Sequence, residues 1–415
     1  MRRGVPRERA VPGDDEPVVT EDGAAKAGEE TPLTGLAQYA EPNLVSVKAG
    51  QLVLLGKTLD NVVLGATHQK NAWQVNIDSR QASGYVTWNA APSGRGLGKV
   101  TARLSSLIIP QGGETDVGDV LEGKGGSTQI PGLDIIAEDF QLLGKKLGRL
   151  ELSANNVRAN VGNEWRIHKL SIKNPDAELK ADGKWTTVNG DNTTSLTYAM
   201  DIADAGKLLD RFGFAHVLRA AKGRMDGEVS WKGLPFTMDI PSLSGQINLD
   251  MAAGQFLKVD PGAAKLLGVL SLQSLPRRLT LDFRDIFSEG FAFDSVVGTA
   301  SITQGKAHTD NFKMRGVSAT VLMDGVADIA RETQDLHVAV LPEINAGTAS
   351  VVALAINPVI GIGTFLAQLF LRDPLMRAFT FEYNITGGWT DPVVTKLDHK
   401  ADTPAAGTPD LSSGR

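Results

Sequence analysis

A mainly β protein, an elongated repeat-built sheet with a few helices, is what this 415-residue sequence predicts, on three observations. Glycine is abundant at 45 residues, aromatics are few at 6%, and short valine, leucine and threonine runs recur, a composition of strands and turns. An internal repeat runs through the N-terminal half. Apolar and polar residues alternate with a period of two through the C-terminal half.

The repeat aligns AGQLVLLGKTLDNVVLGA (49–66) without gaps to AEDFQLLGKKLGRLELSA (137–154), superposing Gly56-Lys57 on Gly144-Lys145 and Leu64 on Leu152. Each copy continues to a tryptophan in strand-like context (Trp73, Trp165) and then to a glycine-led strand ending in another (Trp88, Trp185). Gly227 to Trp231 is a further strand of this kind. Such units cannot cover their apolar faces alone and stack into one continuous sheet. The tryptophans read as packing residues at strand ends. The copies fall near 44–110 and 133–200, inside a folded region 32–400. It lies between a charge- and proline-rich lead-in (1–31) and a similar tail (401–415), both expected to be disordered.

Two stretches break the strand rhythm. Asp204 to Lys222 places Leu208, Leu209, Phe212, Ala215 and Leu218 at helical spacing, with Gly223 as a stop. A second helix is predicted over 260–274, capped by Asp260 with Pro261 in its first turn. Alternation then returns. Leu279, Leu281, Phe283, Phe291 and Phe293 share one face, and Val317, Ala319, Val321 and Met323 continue it, as do Leu336, Val338 and Val340. One side of the sheet is therefore expected to be apolar throughout.

Ala349 to Leu371 carries no charge and is long enough to span a bilayer core of ~30 Å. Asn357-Pro358 breaks it near the middle, because proline removes a helix hydrogen bond and displaces the preceding residue. The following strand, Phe379 to Trp389, rejoins the sheet, so both ends lie on one side. The reading is a helical hairpin near 346–376. It either dips into a membrane leaflet through Val351, Val352, Leu354, Ile360, Ile362, Phe365, Leu366, Leu369 and Phe370, or packs those residues on the sheet.

Chemistry-bearing signals are weak. The net charge of −6 gives no basic field for nucleic acid, and the absence of cysteine removes disulfides, iron–sulfur clusters and thiolate zinc. The six histidines show no metal-ligand spacing. Gly94 to Lys99 resembles a phosphate loop but has Ser93 where the first glycine belongs and Val100 where Ser or Thr would hold magnesium. No nucleophile stands with a base and an orienting group, so a non-enzymatic protein without cofactor is expected. Arg2-Arg3 is not followed by an apolar stretch, and the chain is read as a piece of a longer protein.

Several long segments in order carry a resemblance: VDPGAAKLLGVLSLQSLPRRLTLDFRDIFSEGFAFD (259–294), MRGVSA (314–319), ADIARETQDL (327–336), NPVIGIGTFLAQ (357–368) and GGWTDP (387–392). They resemble the C-terminal signature of the YhdP branch of AsmA-like proteins, most closely over 231–392. The resemblance implies a long sheet curled into a trough with an apolar interior, anchored in the inner membrane by an N-terminal helix that is not expected within this sequence, spanning the periplasm and moving phospholipid toward the outer membrane. On that reading Leu279, Leu281, Phe283, Phe291, Phe293, Val321, Val338 and Val340 line the trough. Phospholipid is then the partner, with a membrane leaflet meeting the hairpin and other envelope proteins as further candidates. The alternative is a structural or assembly factor of the envelope without lipid transfer.

Overall fold

A computed structural model describes residues 43–397, apart from 55–56, 92–96, 111–129, 159–162, 189, 258–289, 318, 343–361 and 373–379. The lead-in, the tail and the helix expected over 260–274 lie outside the described residues. The rest forms one 19-stranded sheet.

The strands run in chain order: β1 (Leu44–Leu54), β2 (Lys57–Gln69), β3 (Ala72–Asp78), β4 (Ala82–Asn89), β5 (Lys99–Ile109), β6 (Gly132–Leu142), β7 (Lys145–Arg158), β8 (Asn163–Lys173), β9 (Ala177–Val188), β10 (Asp191–Ile202), β11 (Leu218–Ala220), β12 (Gly223–Lys232), β13 (Ser244–Phe256), β14 (Phe291–Thr303), β15 (Lys306–Gly316), β16 (Ala319–Asp328), β17 (Thr333–Pro342), β18 (Phe381–Gly388) and β19 (Pro392–Leu397). Each pairs with its sequence neighbours as an antiparallel meander, except that β10 passes over the three-residue β11 to pair with β12. A second exception is β5 with β6, which are parallel. That pair is the seam between the two repeat copies, and a parallel pairing needs the long connection that residues 110–131 supply. Among the described residues β1 pairs only with β2 and β19 only with β18, so the sheet is open and no barrel closes.

The repeat is physical. Both copies are a hairpin followed by two strands, and the tryptophans face each other identically, Trp73 opposite Trp88 and Trp165 opposite Trp185. In the second copy the turn is Leu143-Gly144, both at positive φ (53° and 75°), the two-residue turn whose twist matches a hairpin. Curvature comes from close strand approach. A Cβ at Gly227 would lie 2.0 Å from the Gln246 carbonyl oxygen, and one at Gly325 (φ +136°) 2.3 Å from that of Asp335. Only glycine lets the neighbouring backbone fold in that far.

The helix expected over Asp204 to Lys222 is shorter. α1 spans Ala205–Phe212, capped by the Asp204 carboxylate, which accepts from the Lys207 backbone N–H. Gly213 in the left-handed region (φ 97°) ends it, its N–H and that of Phe214 returning to Asp210 and Leu209 carbonyls. The effective stop is therefore Gly213 and not Gly223, and Leu218 belongs to strand β11. α1 is fastened to the sheet by Arg211, which donates to the buried Asp176 carboxylate and, at 3.0 Å, to the Lys146 carbonyl.

The second half of the expected hairpin is helical, α2 (Ile362–Arg372); residues 343–361 lie outside the described set. Ile362, Phe365, Leu366 and Leu369 form one stripe at i, i+3, i+4, i+7 and pack on Leu322, Ala339 and Leu341.

Candidate functional site

Register settles which side chains share a face. Val45, Ala66, Val75, Val86, Ala102, Ile135, Leu152, Leu170, Ala181, Tyr198, Gly227, Ile247 and Ala300 stand one opposite the next from β1 to β14. A second row continues through Met251, Val296, Met314, Val321, Val340 and Phe381 to β18. One uninterrupted apolar face results.

The opposite face is charged. A row on that side reads Glu151, Ser171, Lys180, Ala199, Asp226, Asn248 and Thr299. Its ions pair across strands, Arg103 with Asp134 at 2.9 Å and Lys173 with Glu178 at 3.4 Å, and along them, Arg149 with Glu151 at 3.1 Å and Lys180 with Glu178 at 3.4 Å. A hollow of about 890 Å³ on this side is lined by Arg149, Glu151, Lys169, Arg224, Asp226 and Glu228. Its charges balance and are largely partnered with each other, which suits a solvated surface. On the same face His337 bridges three strands, 3.0 Å from both the Asp324 and Glu382 carboxylates. Hydrogen bonding to Asp324 first, then to Glu382, holds the imidazole protonated, its pKa pushed up to about 9.

The apolar face is sealed in some places and accessible in others. Of the expected lining residues, Phe291, Phe293, Val321, Val338 and Val340 do share it and form one cluster, but each is at most 5% exposed. Leu279, Leu281 and Phe283 lie outside the described residues. Farther back Leu170, Leu179, Tyr198, Met200, Met225, Ile247 and Leu249 are only half-buried, and these accessible positions were missed in the sequence. Their alternation is present there, but Gly183, Gly223, Gly227 and Gly245 interrupt the apolar runs and hide it.

All six tryptophans lie on this face, along one rim. Trp165, Trp185 and Trp231 are at most 3% exposed. The indole N–H groups of Trp88, Trp165 and Trp231 donate to the carbonyls of Leu97, Pro131 and Leu234. Those of Trp185 and Trp389 are buried without a partner among the described residues. The row thus lines one long side of the apolar face and ties it to the loops, sealed at Trp165, Trp185 and Trp231 and open at Trp88, which is 41% exposed. At the other rim α1 covers Ile202, Ala221 and Met251 through Ala205 and Leu208.

The expected membrane-contacting residues divide. Ile362, Phe365, Leu366 and Leu369 are buried and Phe370 is partly so, on the charged side of the sheet, back to back with Val321, Val338 and Val340. In this structure the four buried residues neither join the apolar face nor meet solvent. Leu371, at 84% exposure, is the apolar residue α2 leaves uncovered. Val351, Val352, Leu354 and Ile360 lie outside the described residues. No described helix is long and apolar enough to cross a membrane. Among the described residues no three His, Asp or Glu are placed to hold a metal ion.

An open sheet with one continuous apolar face and one charged face, rimmed by tryptophan, defines a β-groove protein. The family model described as YhdP protein matches residues 21–394, and the chain belongs to that family. It is 29% identical over 268 residues to the intermembrane phospholipid transporter YhdP of Escherichia coli (strain K12), a match covering 64% of this chain. The matched part is 21% of that relative's length. No solved structure matches the chain.

Proposed function

We propose that this chain is a section of a non-enzymatic apolar path along which phospholipid acyl chains pass between the inner and outer membranes of a cell envelope. The observation that carries this reading is the apolar face kept in register from β1 to β18 and backed by a charged one. Each methylene moved from water onto such a face gains about 0.8 kcal/mol, so a lipid tail is held firmly without a specific pocket. The half-buried stretch around Tyr198, Met225 and Leu249 is where tails would lie, with headgroups kept in water at the open side. The name of the Escherichia coli relative, an intermembrane phospholipid transporter, supports the same cargo.

The segment 346–376 is the proposed contact with a leaflet, through Leu371 and through Val351, Val352, Leu354 and Ile360. A second reading, an envelope scaffold, draws on the tight packing of Val321, Val338 and Val340, which leaves that part of the face closed. Mass spectrometry of the purified chain separates the two. Co-purifying phospholipid is expected on the path reading; a folded, lipid-free preparation favours the scaffold.

A further inference from the structure

The apolar face contains one cluster of polar side chains that the path reading leaves unexplained. Gln334 stands on it beside Leu336 and is 5% exposed, yet neither its amide nitrogen nor its amide oxygen has a hydrogen-bond partner among the described residues. The Trp389 indole N–H and the Thr309 hydroxyl are buried and unpartnered in the same way.

Register brings Gln334 and Trp389 together at the tryptophan rim, with Thr309 two strands farther on. Gln334 lies opposite Ala327 on one side and Gly387 on the other, and Trp389 follows two residues on, its backbone N–H bonded to the Glu332 carbonyl. That places the indole diagonally beside the amide, within reach of a long side chain. Thr309 lies opposite Gly325, and Gly325 opposite Leu336. Gly325 and Gly387 carry no side chain and Ala327 only a methyl, so backbone floors the space between these polar groups.

We propose that Gln334 and Trp389 form a polar subsite for the ester carbonyls of a diacyl lipid whose tails lie on the apolar face, a proposal that rests on the path reading above. The chemistry selects the ligand. The pair offers the two amide N–H donors, one indole N–H and one amide acceptor, and no ionised side chain. Uncharged donors in a low-dielectric surround match a neutral carbonyl; a phosphate would demand a cation and stays in water. Buried groups without partners are rare because they cost stability, and a bound acceptor offsets that cost.

The test uses the full chain and two water-soluble probes, a short-chain diacyl glycerophosphocholine and its dialkyl ether analogue, which lacks only the ester carbonyls. The parent is expected to bind the diacyl probe roughly three- to tenfold more tightly. Gln334→Leu should abolish that preference, and Trp389→Phe should reduce it. Gln334→Leu should unfold at the same temperature as the parent or higher, since it removes unpaired polar groups. Equal binding of the two probes by the parent, or a preference that survives Gln334→Leu, overturns the ester subsite and leaves the path reading intact. So does a lower unfolding temperature for Gln334→Leu, which would place its amide in hydrogen bonds of the fold. Binding of neither probe overturns both readings.

Discussion

His337 shows how much a single side chain contributes on the charged face. Its two carboxylate partners raise the folded pKa to about 9, against roughly 6.5 for the unfolded chain. A group whose pKa is raised on folding stabilises fully below the unfolded value, and that stabilisation is lost as pH rises through the folded one. The gap corresponds to a contribution on the order of 3 kcal/mol at pH 6, an upper bound for a side chain still 24% exposed. Urea unfolding of His337→Gln against the parent should therefore give a clear loss at pH 6 that shrinks steadily and vanishes by pH 10. A loss independent of pH would assign His337 a packing role instead. Its position was legible in the sequence only as a histidine in an alternating strand. The partners come from two other strands, and Glu382 lies across the whole α2 excursion.

At the scale of elements, glycine decides where the sheet bends and where a helix stops. Gly227→Val pushes a side chain into the Gln246 carbonyl, so a destabilisation above ~2 kcal/mol is expected, although valine is the better strand former. An unchanged denaturation midpoint would contradict the close approach. The α1 boundary illustrates what periodicity cannot decide. Leu208 to Leu218 keeps helical spacing past Gly213, and two glycines compete as the stop. The winner is set by the capping bonds Gly213 makes and by β11 finding a partner in β13. For α2, hydrophobicity was legible but not its destination, because an apolar stripe fits a sheet and a lipid leaflet equally. The buried stripe predicts that Leu366→Asp costs ~3 kcal/mol or more. Leu371→Asp should leave stability unchanged yet weaken flotation with anionic liposomes. If Leu371→Asp floats as well as the parent, Leu371 is not the point of leaflet contact.

For the molecule as a whole, the sequence revealed two faces and a repeat because both are written in spacing. The Gly-Lys turns and the paired tryptophans recur at the same offsets, and the structure sets Trp73 opposite Trp88 as it sets Trp165 opposite Trp185. Which parts of the apolar face are covered was not legible. Covering depends on what packs above a strand, and Val338 and Leu249 alternate alike although one is sealed and the other half-buried.

The central claim is that lipid tails travel on the apolar face and not on the charged one. A photoreactive amino acid placed in turn at Tyr198, Met225 and Leu249, and at Lys180, Asp226 and Glu228 on the reverse, tests it in envelopes of cells producing the chain. These positions sit on the same strands or their neighbours, so they differ chiefly in face. Phospholipid adducts at the first set and none at the second are the predicted result; adducts spread equally over both faces, or confined to the charged one, would contradict the account.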